Sequence, residues 1–107
     1  MTWLCRVIAD FNFKEGEIGK IIEIGEGANG FQVTKDFKGC LGIDVSIDMD
    51  NPNRMILTET WKNRDDHAQY MKFRESEGPD GFLAKIISVL DADPKFVWAE
   101  VKGSWDK

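Results

Sequence analysis

The chain of 107 residues contains no run of ~18 consecutive apolar residues, so no stretch is expected to cross a membrane as a helix. It also lacks a basic surplus. Fourteen Lys and Arg stand against nineteen Asp and Glu, the formal charge is −5, and no basic run interrupts the acidic background. That excludes the positive face a nucleic-acid partner requires. Cysteine is scarce: Cys5 and Cys40 lie far apart, with no Cys-x-x-Cys and no histidine spaced for a zinc site. They read as small buried apolar residues in a reducing compartment. The opening residues show neither the charged start nor the apolar run of a signal peptide, and a soluble, cytoplasmic protein is expected. There is one histidine and one tyrosine, His67 and Tyr70, three residues apart.

What the chain does contain is apolar material for a core: 42% hydrophobic residues, with four Trp and seven Phe. At this length it is expected to form one domain over residues 1–107. Thr2–Phe11 alternates as a strand whose second face, with Leu4 and Ile8, is also largely apolar. Phe13–Gly39 carries helical apolar spacing but five glycines before the closing Gly39, which predicts a first helix broken near Gly25–Gly30 and resumed over Phe31–Phe37. Gly25-Glu-Gly-Ala-Asn-Gly30 matches the bare spacing of a phosphate loop, yet it follows no convincing strand and carries an acid, so that reading is set aside.

Leu41–Asp48 alternates as a strand with one polar face, and Met49-Asp-Asn-Pro-Asn53 is a turn. Asp44, Asp48 and Asp50 lack the glycine and terminal glutamate of a calcium loop and read as solvated turn acids. Arg54–Trp61 is a third strand, with Met55, Leu57, Glu59 and Trp61 on one face. Asn63 then caps a helix running to about Glu77, where Gly78-Pro79 stops it. A further helix begins near Asp80, its expected cap, and Lys95–Lys102 alternates as the last strand. The order strand, helix, strand, strand, split helix, strand predicts an α+β, ferredoxin-like split β-α-β: a four-stranded antiparallel sheet with helices on one face. Leu4 with Ile8, or Leu57 with Trp61, would then be bare on the other face, and a homodimer joined sheet to sheet is expected.

Specific residues also carry a resemblance. Phe37-Lys-Gly-Cys-Leu-Gly-Ile43, then Asp50-Asn-Pro-Asn-Arg54, and Glu59-Thr-Trp-Lys-Asn63 with the helix Tyr70-Met-Lys-Phe-Arg74 resemble the antibiotic-biosynthesis-monooxygenase-like family across essentially the whole chain. The resemblance implies a dimeric α/β barrel with a ligand cavity between sheet and helices. It also implies cofactor-free oxygenation of phenolic or quinol-type substrates, or haem degradation. Trp61 matches the family's pocket tryptophan. Tyr70 stands near the histidine of the haem-degrading branch, and the first strand offers Arg6 and Asp10 where that branch has an asparagine. A polar residue that oxygenase members carry four positions before the tryptophan is Leu57 here.

Attack of O2 on an aromatic without a cofactor needs a base, a stabiliser for the resulting oxyanion and a dry cavity. His67, which ordinarily titrates near neutrality, is the expected base. Tyr70 and Arg74 share its helix face and are placed to hold an oxyanion, while Trp61 would stack on the substrate ring. Glu59 is either pocket-lining or, as we expect, paired with Arg6. The expected ligand is a hydrophobic aromatic small molecule, with no cofactor and no metal. The alternative is a dimer of the same fold that binds its ligand without turnover.

Overall fold

The computed structural model describes residues 3–106. Thr2, where the first strand was expected to start, lies outside them, as does Lys107. The elements run β1 (Cys5–Asn12), α1 (Ile18–Gly25), α2 (Phe31–Asp36), β2 (Cys40–Ile47), β3 (Arg54–Trp61), α3 (Arg64–Ser76), a 3-10 turn (Gly78–Asp80), α4 (Phe82–Ser88) and β4 (Lys95–Glu100). The strands form one antiparallel sheet in the order β2-β3-β1-β4. This is the ferredoxin-like α+β plan expected from the order of elements. No helix among the described residues is long and apolar enough to cross a membrane.

Residues directly opposite each other in an antiparallel ladder share a face. Val7 faces Glu59, Ala9 faces Leu57 and Phe11 faces Met55, so these pairs lie together under the helices. Phe96 and Trp98 join that face from β4. Leu4 is exposed, and Ile8, Ile56 and Val97 line the opposite, helix-free face. Of the two apolar sets that were candidates for the bare face, Leu57 and Trp61 are therefore the covered one.

The register also corrects the expected ion pair between Glu59 and Arg6. Arg6 sits opposite Thr60 on the helix-free face, where its Nε donates to Thr60 Oγ1 at 2.9 Å. Glu59 projects the other way, into the protein. On the helix-free face Arg54 is held between Asp10 (2.8 Å) and Asp48 (3.0 Å), which gives one of the turn acids a structural partner.

The glycine-rich stretch breaks the first helix where expected. Gly30 lies against the carbonyl of Gly25, at a distance that a Cβ would not permit. Asn63 caps α3, its Oδ1 accepting from the Asp66 amide at 2.8 Å. Gly39, at φ 88°, leads into β2 with its α-carbon against the Asp66 side chain; any Cβ there would collide with that carboxylate. Two expected boundaries move. Gly81, not Asp80, occupies the N-cap of α4, because Asp80 belongs to the 3-10 turn, and β4 ends at Glu100 rather than Lys102.

Candidate functional site

The helix-covered face of the sheet divides into two parts. Under α1 and α4 the core is apolar, built on Ala9, Phe11, Met55, Leu57, Ile21, Phe82 and Ile86. Under α3 it contains polar and ionisable groups as well. β3 supplies Glu59 and Trp61; α3 supplies His67, Tyr70 and Arg74 from one face, as spacings of three and four residues require. All five side chains are buried. The structure thus brings together every residue singled out as a candidate in the sequence.

Arg74 anchors the cluster. Its Nε donates to Tyr70 Oη at 2.8 Å, Nη2 to the Gly30 carbonyl at 2.8 Å and to Thr34 Oγ1 at 3.2 Å. Its Nη1 donates to the Asn29 carbonyl at 3.1 Å and to Glu77 Oε1 at 3.0 Å. The break between α1 and α2 therefore has a purpose in the fold: it turns two backbone carbonyls onto a buried guanidinium. Burial works against the ionised form of Glu77, but hydrogen bonds from Asn29 and Arg74 outweigh it and hold the carboxyl below its usual range. Tyr70 Oη lies 2.6 Å from Thr34 Oγ1. Burial raises the tyrosine's pKa, with the hydrogen bonds from Thr34 and Arg74 opposing it, so at neutral pH it is a phenol.

Glu59 and His67 are arranged differently. Glu59 Oε1 accepts from the Trp61 indole N–H at 2.8 Å and lies 3.8 Å from His67 Nε2. Burial raises the Glu59 pKa; the Trp61 hydrogen bond and the charge of Arg74 only partly offset it. His67 is 2% exposed, and its pKa is pushed down to about 4, first by burial and then by the charge of Arg64. The imidazole is neutral at pH 7. Its Nδ1 accepts a hydrogen bond from the Trp98 indole at 3.1 Å, which puts the ring proton on Nε2, the nitrogen turned toward Glu59.

That tautomer reverses the role expected of His67. A base needs a free lone pair, and the only one on this ring is occupied by Trp98. As placed, His67 turns its Nε2–H toward the interior, where the Glu59 carboxylate lies 3.8 Å away. Trp61 moves as well. It packs against the rings of Tyr70 (5.2 Å between centroids) and His67 (5.4 Å), and its indole N–H is engaged by the Glu59 carboxylate.

A cavity of about 30 Å³ lies between sheet and helices, lined by Glu59, His67, Tyr70, Arg74 and Thr34 together with apolar side chains that include Phe11, Leu57 and Phe96. It has room for roughly one water, whereas a cavity that takes up benzene is about 150 Å³. An aromatic ligand therefore requires the wall to open. Thr34 and Trp98 were not recognised in the sequence. Thr34 gives no signal there, being one threonine in a short helix. Trp98 was visible on an alternating strand, but its partner depends on β4 pairing with β1, which brings together residues 31 apart. Among the described residues no group of three or more His, Cys, Asp or Glu is placed to hold a metal ion.

Residues 5–77 match the antibiotic biosynthesis monooxygenase family. No curated protein sequence matches the chain significantly. Several solved structures share the fold. A conserved protein from Methanosarcina mazei Go1 superposes with a TM-score of 0.78 at 18% identity, covering 94% of this chain and 95% of that one. An antibiotic biosynthesis monooxygenase gives 0.77 at 17% identity over 92% and 99% of the two chains. A conserved protein of unknown function from Bacteroides thetaiotaomicron VPI-5482 gives 0.73 at 17% identity over 94% and 100%.

Proposed function

The chain belongs to the antibiotic biosynthesis monooxygenase family, and from that footing we propose that it oxygenates an electron-rich phenolic aromatic without a cofactor, using Glu59 as the base. The observation that carries this reading is a buried carboxylate of raised pKa, 3.8 Å from an imidazole N–H, at the wall of a cavity that is otherwise largely apolar.

Glu59 takes the phenolic proton, and the His67 Nε2–H hydrogen-bonds the phenolate oxygen so formed. The anion passes one electron to O2; the resulting radical pair joins through the ring carbon as a peroxide. Glu59 returns its proton to the peroxide, and loss of water, which carries off the remaining hydrogen of that ring carbon, leaves a quinone. One oxygen atom enters the product and the other departs in water, so the substrate itself supplies both electrons. Tyr70, Thr34 and Arg74 form a fixed polar wall whose positive charge favours ionised Glu59. Exclusion of water limits side reactions of the peroxide.

The protein acts as a cytoplasmic homodimer joined through the helix-free face, where Leu4, Ile8, Ile56 and Val97 offer apolar surface to a second copy. Oxygen uptake with anthrone, which yields anthraquinone and water, tests the activity. The Glu59→Gln variant is expected to lose about 10²–10⁴-fold of the rate, the usual contribution of a positioned base. A native rate in that variant would remove Glu59 from the chemistry. Saturable anthrone binding with no oxygen uptake would favour the second reading, a dimer that holds its ligand without turnover; the complete internal satisfaction of Arg74 is compatible with it.

A further inference from the structure

The inner cavity is too small for any ring, so the position of its weakest wall decides what the ligand is. Three side chains, His67, Met71 and Phe96, line both this cavity and an outer groove of about 480 Å³ between α3 and β4. Two of the three belong to α3, and Phe96 belongs to β4, a six-residue strand at the edge of the sheet. Phe96 stacks on Trp98 with 5.7 Å between ring centroids and 19° between planes, and Trp98 is 39% exposed. Met71 is unbranched and adapts readily to a neighbouring ring. Inner cavity and groove are therefore separated by one layer of side chains, and that layer rests on an edge strand with no further strand outside it among the described residues.

The groove has a chemical sense of its own. Arg64 and Lys72 line its helix side, with Glu75 as the one acid, in a chain that is otherwise strongly acidic. Arg64 lies 4.7 Å over the Trp98 ring, at the outer edge of the aromatic pair. A ligand reaching from Glu59 outward would pass Met71 and Phe96, lie along Trp98, and end between two cations.

We infer that the groove between α3 and β4 is the outer half of the ligand site, and that it selects aromatics carrying an anionic group, such as a carboxylate, at the end remote from the reacting hydroxyl. This rests on the reading above for the location of the chemistry, but it is a statement about binding and stands or falls by binding. The reacting edge enters the inner cavity as Met71 and Phe96 move aside. The ring body replaces their contacts along the groove, and the anion meets Arg64 and Lys72.

The test measures binding, by calorimetry at low salt, of 2-naphthol and of 6-hydroxy-2-naphthoate, which share a skeleton and differ by a carboxylate at the end remote from the hydroxyl. The native protein is expected to prefer the carboxylate about tenfold, in line with two partly exposed charge contacts. The double variant Arg64→Gln, Lys72→Gln, at two exposed positions, should bring that preference to about one. Ala68→Phe, which fills the groove from an exposed position on α3, should abolish binding of both probes. Equal affinity for the two probes, a preference that survives the double variant, unaffected binding in Ala68→Phe, or no binding of either probe would each overturn the inference. A protein that binds as expected yet consumes no oxygen with any phenol would leave the groove intact and refute the proposed oxygenation.

Discussion

Two neighbouring halves of one sheet face behave as different materials. Under α1 and α4, Met55, Leu57, Phe11 and Ile86 pack carbon against carbon, and their contribution to stability does not depend on pH. Under α3, two residues further along the same strand, Glu59 begins a region where each buried group is held by a specific partner. No fully buried side-chain nitrogen or oxygen among the described residues lacks a hydrogen-bond partner. The apolar half tolerates small errors of shape, while the polar half fails when one member is removed, because its partners are then left buried and unpaired. A half of that kind is costly to maintain, and its presence beside a cavity is the physical argument for a site.

The largest expected effect that separates the halves is the loss of Arg74. Arg74→Met removes the only charged donor shared by the Asn29 and Gly30 carbonyls, Thr34, Tyr70 and Glu77, leaving Glu77 with Asn29 alone and Thr34 and Tyr70 with each other. A destabilisation of about 3–5 kcal/mol is expected in urea titrations, the usual result of breaking a buried charged network from one side.

Next comes the pH response of His67. Its folded pKa of about 4 lies below the ordinary 6.5. Between those values the unfolded chain binds a proton that the folded chain refuses, so stability falls as pH drops through this window. The loss from this one group amounts to about 3 kcal/mol by the lower end. His67→Gln should flatten that part of the stability–pH curve, measured by thermal or urea unfolding at several pH values; an unchanged slope would place the imidazole in contact with solvent. Glu59 has the opposite sign: its raised pKa makes stability decline as pH rises above the ordinary 4.5.

The smallest expected effect belongs to the apolar half. Ile86→Val should cost about 0.5–1.5 kcal/mol, equally at every pH. A pH-dependent cost there would show that the two halves are coupled.

Much of the fold was legible because it is written in local patterns. Alternation along β2 and β3, the Asn63 cap and the glycine break all depend on residues close in sequence, and the structure places them within a few residues of expectation. Register is not local. A slip of one residue reverses every side chain of a strand, and nothing within β1 or β3 says which faces meet. That is why Glu59 was assigned to Arg6. The members of the site were legible as a helix face, but their roles were not. The expected role of His67 turned on which of its nitrogens is free, and that is set by Trp98 from a strand at the sheet edge. In the sequence Trp61 suits a ligand platform and a core position equally, as any aromatic residue at a strand end does. Its indole N–H, committed to Glu59, decides between them.

The most direct test of the account is the titration of Glu59 itself, followed by carbon-13 NMR of its side-chain carboxyl in the ligand-free protein. A midpoint above the ordinary 4.5 is expected, assigned by its disappearance in Glu59→Gln. A midpoint at or below 4.5 would mean a solvated or fully ion-paired carboxylate, and would contradict both the division of the core and the role of Glu59 as base.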